Sequence, residues 1–135
     1  MRTFGIIALS ATGTFLCVWL IASIAARVTG VPHSFPPFTA LPLLSGVVGG
    51  FLGAWAVYAL INAIAKQPDR VFFFVALFFL IASFGLPLRL SFTKSPRFAG
   101  VTLAAQLVLA LLHTLIAASA VTTLAQTSAS KSRGW

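Results

Sequence analysis

Acid–base, metal and thiol chemistry in this 135-residue sequence rests on one acid, Asp69, two histidines, His33 and His113, and one cysteine, Cys17. His113 is the most suggestive of them. It lies deep in an apolar run, with Thr102 and Gln106 placed four and seven positions apart along the same helical face. An ionisable group inside a membrane span is rare and marks a candidate functional position. A neutral imidazole there could ligate a haem iron or a (bacterio)chlorophyll magnesium, or hydrogen-bond a quinone, which makes His113 and Gln106 the candidate cofactor contacts. A bis-histidine haem would need a second ligand at the same depth, whereas His33 falls in a loop. Two other readings stand beside this one. His113 could bond to the first span, where Ser10, Thr14 and Cys17 form a matching face, or the Thr102, Gln106 and His113 stripe could line a solute or proton path.

The remaining reactive groups offer less. Asp69 sits at a turn beside Arg70, at a different depth from His113, so no Ser-His-Asp arrangement is expected and the chain does not read as an enzyme. One cysteine cannot close an internal disulfide, and no metal-type spacing is present. Cys17, between Leu16 and Val18, is expected to be a small buried apolar residue.

The elements that must carry these residues are membrane spans. The composition is 59% hydrophobic and 7% charged, too poor in polar side chains to cover a water-soluble fold. Four runs reach the roughly 20 apolar residues needed to cross a hydrocarbon core of about 30 Å. They cover approximately 4–26, 39–65, 71–90 and 98–125, and predict an all-α, integral membrane four-helix bundle forming a single domain over 1–135. Gly30, Pro32, Pro36 and Pro37 follow the first span, Lys66-Gln67-Pro68 closes the second, and Pro87 and Arg89 close the third. Asp69 is expected to cap the third helix, and Ser95-Pro96 to open the fourth. The run from Phe4 to Ala26 is too long for a signal-peptide core and reads as a retained helix.

The net charge of +8 does not imply nucleic acid, because the cations sit singly or in small groups beside the spans. Arg89, Lys94 and Arg97 form a loop without an acid and suit lipid headgroups, cardiolipin included. Arg2, Lys66, Arg70, Lys131 and Arg133 lie on the side of the termini, and Arg27, Arg89, Lys94 and Arg97 on the other. That balance, with a Pro-rich loop suited to an outer cap, favours cytoplasmic termini in a bacterial inner or intracytoplasmic membrane.

The second span carries two rows of small residues at four-residue spacing: Ser45, Gly49 and Gly53, and Gly46, Gly50 and Ala54. Small residues let helices approach closely in lipid, either within the chain or against another subunit. Trp55, Tyr58, Asn62 and Lys66 share a face near the span's end and read as an interfacial anchor. The third span is ringed with phenylalanine, for which lipid is the default neighbour.

The stretch Ser95-Pro96-Arg97-Phe98 leading to Leu111-Leu112-His113 and Ala117, with the Gln67-Pro68-Asp69-Arg70 turn, resembles a bacterial family of small four-span membrane proteins known only as a domain of unknown function. The resemblance implies the four-helix architecture and draws attention to His113, and it implies no activity. Three functions follow in order. The first is a non-catalytic accessory subunit docking into a larger membrane complex, electron-transfer or photosynthetic, with other integral membrane subunits as partners. The second is a pigment-, haem- or quinone-contacting module. The third is a small carrier or channel.

Overall fold

Pro and Gly punctuation divides the chain into helices that the computed structural model describes over residues 2–32, 35–89, 92, 95–96 and 101–132. The helices are α1 (Arg2–Val28), α2 (Ala40–Ile64), α3 (Pro68–Ser83), α4 (Gly85–Arg89) and α5 (Leu103–Ser132). No strand occurs among the described residues. The architecture is an all-helical integral membrane bundle of four rods, in which α4 continues α3 after a break. Among the described residues, α1, α2 and α5 each carry 25 residues long and apolar enough to span a membrane.

Local chemistry sets the helix ends. After α1, the Thr29 amide bonds back to the Ala25 carbonyl at 2.8 Å, and Gly30 takes a left-handed φ of 69°. That is the conformation in which a helix stops most readily on glycine. The loop then folds inward. Pro36–Phe38 forms a 3-10 turn, and Val31, Phe35 and Phe38 are buried, the two rings meeting edge to face at 5.2 Å. The loop therefore plugs that end of the bundle.

Three boundaries differ from the sequence expectations. The third span breaks at Phe84, whose amide bonds three residues back to Ile81 at 3.2 Å. Pro87 has no amide hydrogen to offer the Ser83 carbonyl, so the regular ladder fails there. Asp69 does not cap α3: Gln67 holds the cap position without a side-chain bond, and Asp69 lies in the first turn. Nor does α5 open at Ser95-Pro96. Its cap is Thr102, whose hydroxyl oxygen accepts from the Ala105 amide at 3.1 Å.

In cross-section α1, α2, α3 and α5 follow one another around a ring, and α2 also meets α5 across a diagonal. The chain's up-down order makes α2 and α5 parallel. On the α1 side of this diagonal the bundle is filled. Val18, Ala22, Ala25 and Ala26 of α1 pack against Val47 and Phe51 of α2 and Ala105, Leu109 and Leu112 of α5. Small residues on α1 allow this close α1–α5 contact, as expected where lipid gives no hydrophobic drive for association.

Polar groups in the spans are satisfied locally. Thr14, Thr114 and Thr123 hydroxyls donate to carbonyls one turn back at 2.7–2.9 Å. Among the described residues no buried side-chain nitrogen or oxygen lacks a partner. Large apolar side chains such as Leu9, Leu20, Leu52, Phe73 and Phe78 face outward, which in a bilayer means contact with lipid tails.

Candidate ligand-binding cleft

The other side of the diagonal is hollow. Of α3 only Phe72 is buried, and the helix stands off the α2–α5 pair around a cleft of about 580 Å³. Its wall on α3 is the stripe Phe72, Val75, Ala76, Phe79, Leu80 and Ser83, a helical register of one face. Opposite are Gly46, Gly50, Ala54 and Val57 on α2, and Leu112, His113, Ile116 and Ala117 on α5. The volume and largely apolar lining suit a small hydrophobic ligand.

Two contacts close the cleft's edges. At the diagonal, a Cβ placed on Gly50 would lie 2.9 Å from Ile116 Cγ2, so α2 and α5 touch there only because Gly50 has no side chain. Near the termini, the Tyr58 hydroxyl donates to Asp69 Oδ1 at 2.8 Å, and the Tyr58 ring meets Phe72 edge to face at 5.1 Å. The chain's one acid thus fastens α3 to α2. Tyr58 is half-buried, with its ring against Phe72, while Trp55, Asn62 and Lys66 are exposed.

Among the described residues, His113 is the one ionisable side chain lining the cleft. It lies ten residues into α5, about 15 Å along the axis. Its Nδ1 is 2.7 Å from the Leu109 carbonyl of its own helix. A carbonyl can only accept, so Nδ1 carries the hydrogen, and in a neutral imidazole the lone pair is then on Nε2. The expected partnership with Ser10, Thr14 and Cys17 is not formed. Thr14 returns its hydroxyl to Ser10, and Cys17 is exposed on the outer face of α1 rather than buried.

The other sequence candidates separate. Thr102 is the α5 cap, and Gln106 is buried without lining the cleft, so the polar stripe does not act as one surface. The two small-residue rows also part. Gly46, Gly50 and Ala54 line the cleft, whereas Ser45, Gly49 and Gly53 are exposed on the outer face. Arg89 is exposed at the end of α4, and Lys94, Arg97 and His33 lie outside the described residues. No group of three or more metal-ligating side chains occurs among the described residues. Sequence reasoning missed the α3 wall, whose register Phe72, Val75, Ala76, Phe79 was the available signal.

No protein-family model, curated protein or solved structure matches this chain.

Proposed function

We propose that this protein is a membrane-embedded binding module that takes a hydrophobic small molecule into the α2–α3–α5 cleft, with His113 as its polar contact. The observation that carries this reading is one imidazole, Nδ1 held by the Leu109 carbonyl, lining an otherwise largely apolar cleft. A pocket of that kind, with a few placed polar groups, is the usual form of a small-molecule site. A photoactivatable long-chain diazirine probe tests it in bilayer nanodiscs. Labelling should map to Phe79, Leu80, Ile116 and Ala117, and Gly46→Leu should suppress it because an added side chain would enter the cleft. Gly49→Leu, on the outer face, should leave it unchanged. Equal labelling in all three proteins rejects the reading.

The accessory-subunit reading has an observation of its own. Ser45, Gly49 and Gly53 form an uncovered small-residue row, and a Cβ at either glycine meets nothing within 4 Å. Another subunit's helix could pack closely there. Gentle extraction from native membranes tests it: co-migration with a larger assembly that Gly49→Leu disperses supports docking, and an isolated monomer argues against it. An electron-transfer or photosynthetic assembly would show as a coloured peak. The carrier reading retains only His113 of its three residues as a cleft wall. The cation balance, five on the side of the termini against four on the other, supports cytoplasmic termini.

A further inference from the structure

The cleft's shape and the state of its imidazole together narrow the ligand class. The cleft runs from Pro42 to Val57 along α2 and from Leu109 to Val121 along α5. At the helical rise per residue this is about 20 Å of length. A volume of about 580 Å³ spread over that length makes the cleft elongated. That shape suits a long, narrow ligand. The Gly50–Ile116 contact forms the floor of this space along the α2–α5 seam. The imidazole lies about 6 Å from the Leu109 end and about 12 Å from the Val121 end. A polar group at His113 therefore leaves most of the cleft for an apolar tail.

The tautomer decides what that polar group must be. With the Nδ1 hydrogen donated to the Leu109 carbonyl, Nε2 of the neutral imidazole can accept a hydrogen bond and cannot give one. A ketone or quinone carbonyl finds no donor at this nitrogen. A hydroxyl does find an acceptor. Resting on the reading of the cleft as a binding site, we infer that its ligand is a slender, single-chain lipophile bearing a hydroxyl, of the quinol or long-chain phenol type, whose O–H donates to His113 Nε2.

The test compares three probes on the full chain in nanodiscs: decyl hydroquinone, its dimethyl ether and the oxidised decyl quinone. The readout is binding together with the ¹⁵N resonance of the His113 Nε2, assigned with His113→Phe. Decyl hydroquinone should move that resonance saturably and bind about tenfold more tightly than either probe without O–H, the equivalent of one net hydrogen bond. In His113→Phe the preference should vanish while the dimethyl ether still binds. The comparison of probes on the unaltered protein does not depend on any variant folding. Equal binding of all three, each lost in Gly46→Leu, overturns the hydroxyl inference and leaves the cleft as a binding site. No binding by any of them, with no diazirine labelling of the cleft, overturns the underlying reading as well. A His113-dependent absorption band with an iron or magnesium porphyrin, and no response to the hydroquinone, overturns the slender-ligand inference in favour of axial ligation.

Discussion

Replacing Gly50 with alanine probes the diagonal contact on which the bundle's division into a filled and a hollow half depends. Carbon atoms in ordinary contact sit about 3.5–4.0 Å apart. The new Cβ would stand 2.9 Å from Ile116 Cγ2. Relief therefore requires a displacement of about 0.6–1.1 Å, taking that contact range. The methyl cannot simply swing aside, because it branches from Cβ and χ1 of isoleucine is stiff in a helix. Overpacking of this kind costs about 1–3 kcal/mol, while helix propensity returns up to about 1 kcal/mol for glycine to alanine. The net expectation is a loss of about 0–2 kcal/mol. Gly49→Ala provides the contrast: it meets no atom within 4 Å, so only the propensity gain remains. Reversible unfolding in mixed micelles, followed by circular dichroism, should separate the two variants by about 1–3 kcal/mol. Ile116→Ala removes the opposing methyl, and in that background Gly50→Ala should become as stabilising as Gly49→Ala. Variants that agree within about 0.5 kcal/mol, the tolerance for independent sites, would refute the close α2–α5 contact.

Three further outcomes follow from the geometry. Tyr58→Phe removes the hydroxyl that reaches Asp69, an exposed and therefore screened acceptor. It should cost about 0.5 kcal/mol and speed amide hydrogen exchange in the first turn of α3, with no added effect when Asp69→Ala is already present. Thr102→Ala withdraws the α5 cap and should cost about 1 kcal/mol, seen as faster exchange at the Ala105 amide, whereas Thr102→Ser should keep it. A spin label on Cys17, the single cysteine, should show high accessibility to oxygen and low accessibility to a water-soluble nickel chelate. The reverse pattern would mean that this face of α1 does not meet lipid.

The helices were legible because their ends are chemical events. Lys66-Gln67-Pro68 and the Gly30 region interrupt apolar runs with residues that cannot continue them, and α2 at Ala40–Ile64 lies within a residue of the expected 39–65. The break at Phe84 was less legible, since Gly85 and Pro87 sit inside a run whose hydropathy never drops. The start of α5 was misplaced because Ser95-Pro96 and Thr102 both satisfy capping preferences, and only the Ala105 amide chooses between them. The cleft was harder still. In water a helix advertises its inner face by alternation with polar residues, but in lipid both faces are apolar. The α3 residues lining the cleft and those facing lipid are largely the same types: Phe79 does one, Phe78 the other. His113 was visible as an ionisable group in an apolar run. Its partner was not, because spacing cannot distinguish a neighbouring hydroxyl from the carbonyl one turn behind.

The break that ends α3 also has a mechanical side. Its 16 residues measure about 24 Å, against about 38 Å for the 25 of α2 and about 30 Å for the hydrocarbon core. Lipids beside α3 alone would have to shorten their tails, at fractions of a kcal/mol per ångström of mismatch. With α4 in line, the 22 residues from Pro68 to Arg89 reach about 33 Å, so the α3 flank matches the bilayer only while the break at Phe84 stays straight. Membrane thickness becomes a force on the cleft's outer wall, pulling harder on α3 in long-chain lipid and relaxing it in short-chain lipid.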